Sequence, residues 1–283
     1  MSIEIIRERL RSYNCKTTNE EQQALREITQ EVILAALGRG DFFEYAAFQG
    51  ETCLRIFYGL KRFSEDMDFV LLKADANFSI GSHIKNLSNE LKSYGFNIAV
   101  SDKSNADSVV KKAIIKDDSI VKIISLSYPN KHGLLPDIKI KLEVDTEPPE
   151  GSGYEVKYLD FPFLSSVTTQ DKPSLFATKI HALLCRKYVK GRDWYDFLWY
   201  IANGIGVNYD LLSSALNQMG PWQGQGIKVD GNWLKKTLSD KIKDIDWNAA
   251  KADVVRFMKS NEQPSLSLWS SELFLSRLDK IFQ

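Results

Sequence analysis

The sequence predicts an α+β protein, in which a mixed β-sheet flanked by helices precedes an all-helical remainder. Strands are predicted where short segments are apolar, or alternate between apolar and polar residues, and end at polar loops. These segments cover 45–50, 66–72, 96–102, 119–128 and 137–145. A turn-rich stretch with two prolines and two glycines follows at 146–154 and marks a change in composition.

Helices are predicted where apolar residues recur every three or four positions. In the first half these segments cover 3–12, 19–38 and 79–95, with one or two further helical turns after Gly50. In the second half they cover 172–189, 192–203, 208–219, 230–242, 247–260 and 268–282. The boundary between the two halves is therefore expected near 146–170.

The composition is that of a soluble globular protein, with 43% hydrophobic and 26% charged residues. A chain of 283 residues suffices for one large domain or two ordinary ones. Because 37 basic residues balance 37 acidic ones, the chain has no overall attraction to nucleic acid or membrane. A local basic groove remains compatible with this balance.

The cytoplasm is the predicted location. No apolar run approaches the roughly 20 residues that span a bilayer, and charges interrupt the N-terminal segment where a signal peptide needs an apolar region. Cys15, Cys53 and Cys185 are odd in number and widely spaced, which argues against a disulfide framework and against a zinc site.

Two aspartates in an apolar strand indicate a cation site. Asp66 and Asp68 lie two residues apart and are expected to point to the same side of the strand. Side by side they repel, and burial makes both charges costly unless a cation is present. Magnesium prefers such oxygen ligands. Glu143 or Asp145, on the polar face of the strand at 137–145, offers a third carboxylate.

A glycine upstream of these aspartates is a candidate for binding phosphate. Gly50 ends an apolar strand and precedes helix-forming residues, a context in which backbone N–H groups at a helix start bind phosphate. Thr52 offers a hydroxyl. Three carboxylates with two magnesium ions are what nucleotidyl transfer needs. Each feature alone also fits an ordinary turn glycine or a solvated pair of aspartates.

The segment FQGETCLRIFYGLKRFSEDMDF (48–69) resembles the signature of the AbiEii/AbiGii toxin family, within the DNA polymerase beta-like nucleotidyltransferase superfamily. The matching positions are Gly50, Thr52, Leu54, Arg55, Arg62, Phe63, Ser64, Asp66, Asp68 and Phe69. The sequence departs from this pattern at Glu51, where the family usually has a second glycine or a serine.

A second segment, 172–201, resembles the same family at Lys179, Ala182, Leu183, Arg186, Arg192, Asp193 and Asp196. Lys179 and Arg186 are seven apart and are expected to share a helix face that holds a triphosphate. Asp193 is expected to orient one of them, as the resemblance implies. The family pattern also favours Glu143 over Asp145 as the third carboxylate. A surface helix with routine ion pairs, such as Arg192–Asp196, is the alternative.

The resemblance implies a nucleotidyltransferase domain over 1–160 and a helical domain over 161–283. The implied activity moves a nucleoside monophosphate from a nucleoside triphosphate to an acceptor hydroxyl, on RNA such as tRNA, in a bacterial toxin–antitoxin or abortive-infection system. Two Mg²⁺ ions and a cognate antitoxin are the implied cofactor and partner. The expected catalytic residues are Asp66, Asp68, Glu143, Lys179 and Asp193, with the first three as metal ligands; the expected nucleotide-binding residues are Gly50, Thr52 and Arg186.

Two other functions stay open. A small-molecule nucleotidyltransferase, of the aminoglycoside-modifying kind, uses the same carboxylates. A non-catalytic member that binds nucleotide or RNA is the alternative to which Glu51 points. The aromatic residues Trp194, Tyr195, Trp199 and Tyr200 are predicted to pack between helices rather than to stack on bases.

Overall fold

The computed structural model describes residues 3–94, 97–102, 119–127 and 138–282. The described residues fall into two compact units. The sheet unit takes those within Met1–Gly59, Phe63–Pro148 and Glu155–Thr169. The helical unit takes those within Leu60–Arg62, Pro149–Tyr154 and Gln170–Gln283.

The sheet has seven strands within the described residues, in the order β3-β4-β5-β2-β1-β7-β6. The strands are β1 (Ala46–Gln49), β2 (Met67–Leu71), β3 (Asn97–Asp102), β4 (Ser119–Ser127), β5 (Ile138–Asp145), β6 (Tyr154–Leu159) and β7 (Ser165–Gln170). β2 pairs antiparallel with β1 and parallel with β5, and β1 pairs parallel with β7, so the sheet is mixed as predicted.

Helices α1 (Ile3–Ser12), α2 (Thr18–Arg39), α3 (Gly50–Tyr58) and α4 (Gly81–Ser93) accompany this sheet. Thr17 caps α2 by accepting a hydrogen bond from the backbone N–H of Glu20. The apolar residues of α2 from Ile28 to Leu37 are buried, and α2 packs against α1, α4 and β5. α3 packs against β1 and β2, which fixes the turn at Gly50 beside the strand that follows it.

Strands β6 and β7 lie within 154–170, where no strand is predicted from the sequence. Their segments are rich in serine, threonine and charged residues, and neither contains an apolar run. In β7, Ser165, Val167 and Thr169 are buried on one face. Pairing with β1 rather than local apolar content therefore defines β7 as a strand.

The helical unit contains α5 (Lys172–Cys185), α6 (Gly191–Ala202), α7 (Tyr209–Gln218), α8 (Gly231–Lys243), α9 (Trp247–Val254) and α10 (Ser271–Leu278). Three predicted helices are shorter than expected. α5 ends at Cys185, and α9 gives way to a 3₁₀ turn at Val255–Phe257. Ser270 caps α10 by accepting from the N–H of Leu273, so the predicted helix at 268–282 begins later.

The core of the helical unit forms around α6. The Trp194 ring packs edge-on against Phe197, Trp247 and Phe274. Gly191 begins α6 where a Cβ would lie 1.8 Å from the backbone oxygen of Ala250, so only glycine permits this approach to α9. Among the helices of the described residues, none has the length and apolar character to cross a membrane.

Candidate active site

Strand pairing in the sheet unit places carboxylates next to one another. In the register of β2 with β5, Asp68 is the partner of Glu143, while Asp145 is the partner of Val70. Asp66 directly precedes β2 and is exposed, and Asp68 and Glu143 are partly buried. Because β2 and β5 are parallel neighbours, the side chains of Asp68 and Glu143 lie on the same face of the sheet.

The β1–α3 turn contacts this group of carboxylates. Gly50 has a φ of +77°, a conformation that L side chains rarely adopt. A Cβ at Gly50 would lie 2.5 Å from the Oδ2 of Asp68, so a side chain is also excluded by collision. The first turn of α3 therefore begins directly beside the Asp68 carboxylate.

The electrostatics of this site suit a cation. Burial, then the charges of Glu143 and Asp66, raise the pKa of Asp68 to about 7, and Glu51 adds a smaller effect in the same direction. Lys141 opposes this shift and contacts the Glu143 carboxylate. The donors are all carboxylate oxygens, which are the ligands that magnesium prefers. The residues present thus fit a divalent metal ion, because a cation relieves their mutual repulsion.

Two buried side chains hold the loop that carries Asp66. The hydroxyl of Thr52 donates to the backbone oxygen of Asp66 and lies 2.9 Å from the hydroxyl of Ser64. Gln30, on α2, donates to the backbone oxygens of Ser64 and Glu65 at 3.3 and 3.2 Å. Thr52 and Gln30 are 0% and 1% exposed, so both act through the loop backbone. Sequence reasoning missed Gln30; a glutamine within the apolar stretch of α2 was the available signal.

In the helical unit, Asp193 joins two basic residues that the sequence singled out. Lys179 Nζ lies 2.7 Å from Asp193 Oδ1, and an Arg186 guanidinium nitrogen lies 2.6 Å from Asp193 Oδ2. Lys179 and Asp193 are buried, whereas the Arg186 side chain is 30% exposed. Lys241 donates to the backbone oxygen of Arg186 at 3.1 Å and thereby holds the segment after α5.

The expected reason for the proximity of Lys179 and Arg186 is wrong, since the two residues do not share a helix face. α5 ends at Cys185, and Arg186 has an extended backbone, with φ −70° and ψ 133°. The two side chains approach each other because each binds one oxygen of the same carboxylate, that of Asp193.

Asp196 belongs to a second ion pair that sequence reasoning did not identify. The Arg62 guanidinium donates two hydrogen bonds to the Asp196 carboxylate, at 2.7 and 2.6 Å, and both side chains are fully buried. Lys179 Nζ lies 2.9 Å from the same carboxylate. The available signal was that Arg62 and Asp196 each match one of the two family-like segments. Arg192, which the alternative interpretation paired with Asp196, lies over the Phe257 ring at 4.2 Å, and its Nε is 3.8 Å from Asp253.

Comparisons with known proteins identify the family and the fold. The model of the family described as nucleotidyl transferase AbiEii toxin, type IV TA system, matches residues 32–277. JHP933 from Helicobacter pylori has a similar structure, with 18% identity and a TM-score of 0.51 over 92% of this chain and 94% of that chain. MenT4, a nucleotidyltransferase toxin from Mycobacterium tuberculosis, has 12% identity and a TM-score of 0.54 over 99% of each chain. A search of curated proteins finds no match. The predicted α+β fold class is confirmed.

Proposed function

Since the chain belongs to the AbiEii family of nucleotidyl transferase toxins of type IV toxin–antitoxin systems, we propose that Asp66, Asp68 and Glu143 form its metal-binding catalytic centre. Family membership and the class of enzyme are as the sequence predicted. The observation that carries the proposal is the register of β2 with β5, which makes Glu143 the partner of Asp68.

We propose Mg²⁺, with two ions, as the cofactor. Bound magnesium supplies charge neutralisation for the triphosphate and the leaving pyrophosphate, and it favours the deprotonated acceptor hydroxyl. Asp68 and Glu143 hold adjacent places on one sheet face, and Asp66 stands two residues from Asp68. Asp145 lies two residues further along β5 than Glu143 and is opposite Val70 rather than an aspartate, which favours Glu143 as the third ligand.

The turn at Gly50 is the proposed site for the triphosphate. The N–H groups at the start of a helix point outward and carry partial positive charge, so they bind phosphate oxygens. The absence of a side chain at Gly50 lets the Asp68 carboxylate lie directly against this turn, which brings the proposed phosphate site next to the proposed metal ligand. In this proposal Thr52 supports the site indirectly, since its buried hydroxyl donates to the backbone oxygen of Asp66.

For Lys179, Arg186 and Asp193 of the helical unit, we propose the roles that the family resemblance implies. Lys179 and Arg186 neutralise phosphate charge, and Asp193, which contacts both, positions them. During transfer the acceptor oxygen bonds to the α-phosphorus while the bond from that phosphorus to the bridging oxygen breaks. Pyrophosphate leaves and the hydroxyl proton is released.

The acceptor that we propose is RNA, with tRNA as the first to test, and the nucleotide donor is a nucleoside triphosphate. The proposed setting is the bacterial cytoplasm, with a cognate antitoxin as the partner of the system. A small-molecule acceptor of the aminoglycoside kind is distinguished by a parallel transfer assay in which aminoglycosides replace the RNA.

The test is incubation of the protein with total RNA, magnesium and each labelled nucleoside triphosphate in turn. We expect labelled RNA with the unaltered protein and a loss of at least a hundredfold with Asp66→Asn plus Asp68→Asn. Asp240→Asn, at a side chain that is 64% exposed, is the charge-matched control and should label as the unaltered protein does. Labelling by the double variant at the unaltered rate contradicts the proposed centre.

A further inference from the structure

The four aromatic residues that the sequence predicts as a cluster on α6 divide into a buried pair and a pair that lines a cleft in the helical unit. Trp194 and Tyr200 are 2% and 1% exposed and lie in the core, as predicted. Tyr195 and Trp199 are only partly buried, and both line a cleft of about 640 Å³. They are four residues apart on α6, so their rings occupy one face of this helix.

The walls of the cleft are apolar and open to solvent. Trp269, which is buried, and Leu268, which is 68% exposed, line the cleft together with residues of α6. A volume of this size is typical of sites that hold a small organic group. Trp199 packs edge-on against Tyr200, and the partly exposed faces of Tyr195 and Trp199 border the cleft.

The charged side chains that line the cleft are basic. Its lining includes Arg277 and Lys280, both exposed, and none of its lining residues carries a carboxylate. The adjacent acid, Asp279, lies 2.8 Å from Lys235, which offsets its charge. An aromatic surface beside two cations complements a ligand that has a flat π-system and a negative charge.

From these features we infer that the cleft binds an unpaired nucleotide of the RNA acceptor, with the base against Tyr195 and Trp199 and the phosphate near Arg277 and Lys280. The inference rests on the proposed RNA acceptor. Stacking on aromatic side chains is tolerant of base identity, so this cleft contributes affinity for single-stranded RNA rather than choice of sequence. A protein segment also fits an apolar groove, but the two cations favour a polyanion.

Binding of a fluorescent eight-nucleotide single-stranded RNA to the full chain, followed by anisotropy, tests the inference. We expect Trp199→Leu to weaken binding about tenfold, the effect of losing one stacked base. Arg277→Gln plus Lys280→Gln should reduce the slope of log affinity against log salt by about 1.4, for two phosphate contacts. Binding by these variants that equals the unaltered protein overturns the inference.

Matched controls come from the same unit. Trp222→Leu alters another partly buried tryptophan, and Arg256→Gln plus Lys259→Gln removes an exposed arginine and lysine with the same spacing. Neither control alters a residue that lines the cleft, so both control variants should bind RNA within twofold of the unaltered protein. Equal losses in the controls and the cleft variants would show general charge or folding effects and count against the cleft.

Photo-cross-linking on the unaltered protein covers the case in which Trp199→Leu does not fold. RNA containing 5-iodouridine should attach to a peptide of α6 or α10, and attachment elsewhere contradicts the inference.

The proposed function and the inference about the cleft can fail separately. Absence of labelled RNA with an intact cleft contradicts the proposed function, whereas RNA labelling with unchanged binding by the cleft variants contradicts the cleft alone. Occupation of the cleft by a protein segment rather than by RNA also contradicts the inference about the cleft.

Discussion

The Oδ2 atom of Asp68 occupies the space that a side chain on Gly50 would need, since a Cβ there would lie 2.5 Å from it. The glycine of the β1–α3 turn and the carboxylate on β2 are thus parts of one arrangement. The phosphate-binding turn and the metal-binding aspartate that we propose depend on the same close approach.

Gly50→Ala should abolish nucleotidyl transfer, because the methyl group displaces the Asp68 carboxylate and the backbone resists a φ of +77°. Gly59→Ala is the control: its φ is +79°, but nothing lies within 4 Å of a Cβ there. Both changes carry a backbone cost of about 1 kcal/mol. Thermal unfolding should therefore show a similar loss of stability in the two variants, whereas RNA labelling should be lost only in Gly50→Ala. Equal activity in the two variants contradicts the close contact.

The crowding of carboxylates predicts a pH dependence of stability. Burial beside Glu143 and Asp66 raises the pKa of Asp68 to about 7, so the folded state holds a proton that the unfolded state releases above its ordinary pKa of about 4. The stabilisation from this proton is complete below pH 4 and is lost as the pH rises to 7. Urea unfolding in the presence of a metal chelator should show that the unfolding free energy of the unaltered protein falls over this pH range relative to that of Asp68→Asn.

Asp68→Asn cannot titrate, so the difference between the two unfolding free energies should grow from pH 4 to pH 7 and then stay level. Asp240→Asn, at an exposed carboxylate, should follow the unaltered protein throughout. Parallel curves for Asp68→Asn and the unaltered protein would show that Asp68 titrates normally.

The ion pairs of the helical unit should divide into structural and functional ones. Arg62→Leu leaves the fully buried Asp196 without its two shortest hydrogen bonds and should cost about 3–5 kcal/mol of unfolding free energy. Arg186→Gln changes a side chain that is 30% exposed and should cost less than about 1 kcal/mol while lowering transfer at least tenfold. Chemical denaturation and the labelling assay measure both. A reversed order of the two stabilities contradicts the assignment.

Thr52→Val should lower transfer while the protein remains folded, since it removes the hydroxyl that donates to the Asp66 backbone. Thr29→Val is matched, because Thr29 is also 0% exposed and donates only to Leu25 on its own helix, at 2.8 Å. Each loss should cost about 1 kcal/mol of stability. We expect a decrease in kcat of about tenfold for Thr52→Val and no change for Thr29→Val. Equal kcat values would show that Thr52 does not position Asp66.

Local sequence was sufficient for much of the fold and for the family. Periodicity predicts α2 and α6, and the alternating pattern at 137–145 predicts β5, because each element buries one face whatever its neighbours are. The residues around Gly50 and Asp68 stand close together in the chain, so their resemblance to the AbiEii toxins was visible without a structure. The aromatic segment of α6 was visible in the same way, but the sequence did not show which of its aromatic residues are buried and which line the cleft.

By itself, then, the sequence determined the α+β class and the enzyme family and singled out Asp66 and Asp68 as candidate metal ligands, since these depend on short-range patterns. The family resemblance favoured Glu143 over Asp145 as the third carboxylate, but only the tertiary structure decided that Glu143 is the strand partner of Asp68, because strand register is set between distant segments. It also decided that β7 is a strand, through pairing with β1. The Arg62–Asp196 pair joins residues 134 positions apart, and no local pattern specifies a contact over that distance.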